Sequence, residues 1–458
     1  MRTIIRILTH GGRSYYIWIT FLIICVAQGL FAYAGQFRDG LIVTHMRDSV
    51  SWGFYIGNFT FLVGVAASAV LLVIPAYVYQ WKPIKEVALF GELLAVAAIF
   101  MCLLFVLVDM GRPDRLWHII PFIGRLNFPR SLMAWDALVL NAYLGLNFFV
   151  VVYVLWKSAR GEPYNAKIVT PLVILSIPMA ISIHTVTAFL YNGMAARPYW
   201  NSAILAPRFL ASAFCSGPAV LLILFQVLRK ISPFEIKDEA IHKIAELMAY
   251  AMGFNLFLFG AEIFKEYYSN TTHLLHYEYL LFGLHGEPSP IAPFAWMSIV
   301  FSVVAFLLFL IPATRRNFFT MNAGAILIYF SVYIEKGIAL IIPGYTPDPL
   351  GQIYQYVPSM TELQVSVGIF GAGFFVFTLF VRTGIVLYFV EHAVQTGSVG
   401  ANDRDLRRDS EGAPSGHALP TAQFNRCDKL QPDQVGRDRW ARLAGGESDW
   451  GAQGALGR

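Results

Sequence analysis

Ten separate runs of roughly 20 apolar residues occupy most of this chain, and runs of that length are long enough to cross a membrane. They fall at about 15–34, 53–78, 86–108, 133–156, 168–190, 203–228, 241–266, 291–312, 322–343 and 364–391. Inside hydrocarbon the backbone must satisfy its own hydrogen bonds, so each run is expected to be a helix. Composition agrees. Of 458 residues, 57% are hydrophobic and 14% charged, against about 25% charged in an ordinary soluble domain. The expected fold class is an all-α membrane protein, a bundle of about ten transmembrane helices. The lipid bilayer is the partner that this composition demands. The net charge of +5 sits largely in short loops and the tail, and nucleic acid is not an expected partner.

The loops set an orientation. One side, which includes both ends of the bundle, holds 14 Lys and Arg, and the other holds nine in loops of nearly twice the total length. By the positive-inside rule the first side is cytoplasmic. Both termini are then expected in the cytoplasm, with the long loops at 35–52, 109–132, 191–202, 267–290 and 344–363 outside a cell inner membrane. The helical domain is read as 1–396. Residues 397–458 are rich in Gly, Arg and Asp, lack Ile, Met and Tyr, and read as a disordered polar tail. The abruptness of the change at Gly397 is what a reading-frame shift near the natural end would produce.

The polar residues within the runs are few and not scattered. His184 is the one ionisable group in 168–190. A charge-bearing side chain in a membrane span is costly and marks a functional site by default. Counting along the helices at about 1.5 Å per residue, Asp136, Asn141, Asn58, Glu262, Glu335, Lys336 and Glu362 fall in the same layer beneath the outer face. Isolated helix-packing hydrogen bonds are the bland explanation. Six helices contributing to one layer favour a site. Just above it, Arg112, Arg115, Arg130 and Arg197 are placed to hold anionic head groups or dock a partner. Trp52, Tyr55, Trp117, Trp135, Tyr191, Tyr199 and Trp200 read as an interfacial aromatic belt, with Tyr191 alone counted as a site residue. Toward the cytoplasm, Glu92 and Arg382 read either as a mutual ion pair or as part of an incomplete proton path.

The four cysteines are far apart and form no CxxC or ferredoxin spacing, so no iron–sulfur cluster or c-type haem is expected in this chain. A b-type haem typically needs two facing ligands, and His184 is the only histidine well inside a span. His273-x-x-His276 reads as a solvated loop pair rather than a zinc site, and no metal is expected. A lone buried histidine beside carboxylates suits another task. It can hydrogen-bond a quinone carbonyl and take a proton when the quinol is oxidised.

GRPDRLWH at 111–118, SLMAWDALVLNAY leading into the fourth run, and SIHTVTAFLYNG around His184 resemble the NrfD/PsrC family of membrane quinone-reactive subunits. The ten-helix form and YIEKGIALIIPGYTPDPLGQIYQY at 333–356 are similar to its DsrP-type branch, found in sulfur-metabolism complexes, and to Hme-type relatives. The resemblance covers about residues 1–395. It implies menaquinone or ubiquinone bound near the outer face, no redox metal in the chain itself, and electrons exchanged with a ferredoxin-like iron–sulfur subunit docked in the periplasm. A cytochrome c and further membrane and cytoplasmic subunits would complete the complex. His184 and Asp136 match the family's helix 5 histidine and helix 4 aspartate. The family pattern also calls for an acidic residue shortly after the histidine, where this chain reads TVTAFL, so Glu262 or Glu335 is the expected substitute.

Together these readings give two four-helix halves plus a peripheral pair of helices. His184 is the expected proton acceptor, with Asp136 and Glu262 assisting. Tyr191, Asn58, Arg112 and Arg130 are expected around the quinone, and Glu335, Glu92 and Arg382 along a proton path. The rival readings are a secondary transporter, which calls for inverted repeats, and a membrane anchor without a quinone site.

Overall fold

The computed structural model describes residues 11–395 apart from positions 68, 86, 161, 163 and 232–235. The tail expected to be disordered lies outside the described residues. Among those described there is no β-strand, and ten helices are long and apolar enough to span a bilayer. They are α1 Arg13–Asp39, α2 Phe54–Val78, α3 Ala88–Asp109, α4 Leu132–Ala159, α5 Ala166–Asn192, α6 Leu205–Lys230, α7 Asp238–Ser269, α8 Ala292–Leu310, α9 Phe318–Tyr345 and α10, which begins at Met360. All ten expected runs are recovered with shifts of a few residues.

Their ends follow local chemistry. Ser131, Asn165 and Asn317 each place a side-chain oxygen on a backbone N–H of the first turn of α4, α5 and α9, satisfying donors that helix starts leave free. Pro171 and Pro178 lie inside α5. Helix α9 breaks at Gly337 into Phe318–Lys336 and Ile338–Tyr345.

The helices group as two four-helix halves. In the first, α2 packs on α3 and α5, and α4 packs on α3 and α5. In the second, α6 packs on α7 and α9, and α8 packs on α7 and α9. The second half therefore repeats the pairing of the first, four helices later. Four crossings restore chain direction, so this repeat is direct rather than the inverted one that the transporter reading calls for. The sequence shows no such repeat, because helix packing constrains which faces are small or apolar and not which residues make them so. The halves meet where α6 packs on α2 and α5.

Helices α1 and α10 form the peripheral pair, set against α3 and α4. Their contact is built on small residues, as membrane helix pairs commonly are. A Cβ on Gly29 would lie 2.5 Å from the Gly368 Cα, and one on Gly371 would lie 2.9 Å from Cys25 Cβ. Neither neighbour is a flexible side-chain tip that can move aside. Gly368→Leu is expected to push the pair apart at a cost of about 1–3 kcal/mol. It should lower the thermal unfolding midpoint of the purified protein; an unchanged midpoint would mean that the pair contributes little.

Candidate functional site

Three residues of α5 share one face at helical spacing: His184, Thr187 and Tyr191. All three are buried, His184 being 1% exposed. The imidazole Nδ1 of His184 lies 3.0 Å from the Ala180 carbonyl oxygen, one turn back. A carbonyl only accepts, so that contact places the proton on Nδ1. The other ring nitrogen, Nε2, is then a bare acceptor. It is buried and has no partner.

The next turn supplies a carboxylate. Thr187 Oγ1 donates to Asp136 Oδ1 at 2.7 Å, bringing the buried Asp136 of α4 onto the same face. One turn further, the Tyr191 hydroxyl is hydrogen-bonded to Thr60 of α2. Above Tyr191 lies an aromatic plug. Trp52 and Trp200 stand 5.6 and 5.3 Å from the Tyr191 ring, and Tyr345 stands 5.0 Å from Trp200. Trp200 Nε1 donates to the Leu340 carbonyl at 2.9 Å, tying the plug to the second segment of α9. Arg197 lies over the Tyr345 ring at 4.7 Å. Of the residues expected in an interfacial belt, Tyr55, Tyr191 and Trp200 are fully buried, while Trp117 and Trp135 are exposed. The belt reading fails for the first three: Tyr55 donates to Gln36 of α1 and packs on Phe105 of α3, and Tyr191 and Trp200 pack on each other and on Trp52.

The His184 nitrogen acceptor and the Tyr191 phenol thus lie along two turns of one face of α5, and the Asp136 carboxylate reaches that face from α4. The family described as polysulphide reductase, NrfD, matches residues 42–347, which contain every one of these groups.

The chain belongs to the NrfD family.

Among similar proteins, one named for a membrane component of dimethyl sulfoxide reductase in Halobacterium salinarum is 26% identical, over 78% of this chain and 88% of its own length. A component of the selenate reductase of Mesobacillus selenatarsenatis is 22% identical over 80% and 93%. The Hdr-like menaquinol oxidoreductase integral membrane subunit of Archaeoglobus fulgidus is 22% identical over 81% and 93%. This NrfD chain is a multi-pass membrane protein, and these relatives are named as subunits of two reductases and of a menaquinol oxidoreductase.

The remaining expected site residues do not join His184. Asn58 lies on the far side of α2 from Thr60, two residues being about 200° around a helix. Its Oδ1 accepts from Tyr333 at 2.6 Å, facing a crevice of about 370 Å³ between α2, α8 and α9. Glu262 and Glu335 sit in the second half. Both are ion-paired with Arg208, the second at 2.9 Å, so neither stands in for an acid next to His184. One turn beyond His184, Thr187 brings the Asp136 carboxylate of α4 onto the same face. Arg208, inside the sixth apolar run at 203–228, is one of the nine outer cations that set the orientation, but it is buried one turn into α6. Lys336 lies 3.1 Å from Glu335, and Asn255 donates to Glu335 at 3.0 Å. A cavity of about 40 Å³ adjoins this cluster, with Arg208 Nε and Asn255 Oδ1 left without partners. A polar space of that size holds a few waters.

Among the described residues, no ion pair joins Glu92 to Arg382. The Arg382 guanidinium lies instead over the Tyr15 ring of α1, at 3.9 Å. Arg112 and Arg130 are exposed in the loop between α3 and α4, away from the buried cluster, and Arg112 pairs with Asp114 at 2.9 Å. His276 is buried rather than solvated, its Nδ1 2.7 Å from the Pro343 carbonyl. That burial lowers its pKa from the ordinary histidine value and favours the neutral ring.

Sequence reasoning missed Asp109, Thr60 and Thr187. Asp109 closes α3 with one buried oxygen unpartnered, and GRPDR, which begins two residues later, was the signal. Nothing in the sequence marks two threonines as site residues, because either reads as an ordinary back-bonded helix threonine.

Proposed function

We propose that this subunit exchanges electrons between a membrane quinol, menaquinol or ubiquinol, and an iron–sulfur partner subunit, with the quinol head against His184, Asp136 and Tyr191. One observation carries the reading: the buried, unpartnered Nε2 of His184, a vacant proton acceptor deep in an apolar bundle. A buried polar atom without a partner is costly, and a ligand hydroxyl at Nε2 would satisfy it. Oxidation of one quinol releases two electrons and two protons. His184 Nε2 takes one proton from a hydroxyl. Asp136, oriented by Thr187, serves the second, and the Tyr191 phenol holds the ring. The names of the relatives, a menaquinol oxidoreductase subunit among them, support this class.

The finer details belong to the same proposal. The quinol end of the bundle is the periplasmic one, the membrane is the cell inner membrane, and both termini are cytoplasmic. A ferredoxin-like subunit accepts or supplies the electrons, with a cytochrome c beyond it. The DsrP-type resemblance makes a sulfur compound the terminal substrate.

The test is binding of a quinol analogue, followed by fluorescence quenching, to the purified complex with and without His184→Ala. Binding should be lost in a variant that keeps its thermal unfolding midpoint. Unchanged binding would move the quinol elsewhere and favour the anchor reading.

A further inference from the structure

The loop between α3 and α4 starts directly after Asp109 and ends just before Asp136, so it frames the candidate quinol site. It folds into a short 3-10 helix, Pro113–Ile119, followed by a tight turn. Arg125 N–H donates to the His118 carbonyl at 2.7 Å, and Gly124 N–H donates to the Ile120 carbonyl at 2.8 Å. Gly124 is obligatory there, since a Cβ would stand 1.8 Å from the His118 oxygen. At the tip, Phe122 has φ +75°, a left-handed conformation that is rare and strained for a bulky residue. Its side chain is fully exposed, at 105%. Ile119, Ile120 and Ile123 are exposed beside it.

Charge flanks this tip. Arg112 is neutralised by Asp114. The element is thus an apolar knob on a loop that also carries Arg125 and Arg130, exposed and without an ion pair among the described residues, while Arg115 shares Asp114 with Arg112. A fluid bilayer selects for hydrophobicity and positive charge but not for backbone shape. A strained, hydrogen-bonded tip points to a fixed recess, and the Arg125 and Arg130 guanidiniums, which have no carboxylate partner among the described residues, point to carboxylates around it.

We infer that the 118–125 knob is the docking element for the soluble iron–sulfur subunit, seating Phe122 in an apolar recess on an acidic face of that protein. This rests on the electron-transfer reading above and deepens it. Docking there sets the partner directly over the segment that joins Asp109 to Asp136.

The experiment uses the complex purified from native membranes. Non-haem iron and acid-labile sulfide are measured per copy of this chain, alongside quinol-analogue binding. Phe122→Asp should lower bound iron and sulfide at least tenfold with analogue binding intact. Arg125→Glu should release the partner at lower salt than the unaltered complex does. Phe122→Trp should retain it. His184→Ala should show the opposite pattern, with iron kept and analogue binding lost, so the two proposals fail separately. A second measurement places a fluorophore on Phe122→Cys in bilayer-embedded protein with nitroxide lipids. Strong quenching by lipid together with full iron in Phe122→Asp would make the knob a membrane anchor and overturn the inference. Full iron without quenching would overturn it as well.

Discussion

His184→Ala should reduce quinol-dependent electron transfer by about 10²- to 10⁴-fold, the range for removing a positioned acid–base group. The ring is held by the Ala180 carbonyl at 3.0 Å, so the acceptor nitrogen is oriented before the substrate arrives. His184 is the one histidine of α5, so no second ring nitrogen on that helix can take over. His184→Gln separates shape from chemistry. Its amide hydrogen-bonds but does not take up a proton, so it should restore analogue binding in part while turnover stays low. The assay is steady-state oxidation of a short-chain quinol by the intact complex, with turnover and KM reported separately. A turnover within threefold of the unaltered complex would remove His184 from the proton-accepting role.

Arg208→Met should be the most destabilising single change among the buried polar residues. Arg208 bridges Glu262 of α7 and Glu335 of α9, so one guanidinium holds three helices of the second half. Removing one member of a buried ion pair costs about 3–5 kcal/mol, because the remaining charge is left uncompensated. Here two carboxylates would face only Lys336. The variant should fail to accumulate in membranes or unfold at a markedly lower temperature. Adding Glu262→Gln leaves Glu335 opposite Lys336, one negative charge against one positive. The double variant should recover most of the loss, as read by thermal unfolding in detergent. If Arg208→Met alone melts like the unaltered protein, the carboxylates are being neutralised by protons instead.

Much of the fold was legible in advance. Helix number, approximate bounds and fold class followed from ten apolar runs, because a bilayer punishes any unpaired backbone group. The fourth-helix aspartate and fifth-helix histidine were legible as rare ionisable residues, and the structure ties the aspartate to Thr187, one turn along α5 from the histidine. Depth alone was a weaker guide to which residues meet. Asn58 and Thr60 lie at nearly the same level of α2, yet one faces α9 and the other Tyr191. Glu262 and His184 share a layer but belong to different halves. Arg208 gives no sign in sequence of its place in an ion-paired cluster, because its carboxylates stand 54 and 127 positions away.

What the sequence by itself determined is the number of crossings and the family to which the chain belongs. Each depends on hydrophobic length or on local residue order, and both are one-dimensional. Only the tertiary structure decided the direct repeat of two four-helix halves, the Arg208 cluster as an ion-paired centre, and the vacant Nε2 of His184. These depend on rotation of each helix about its axis and on which faces meet. Packing and hydrogen bonds between distant segments set that rotation, and hydropathy does not encode it.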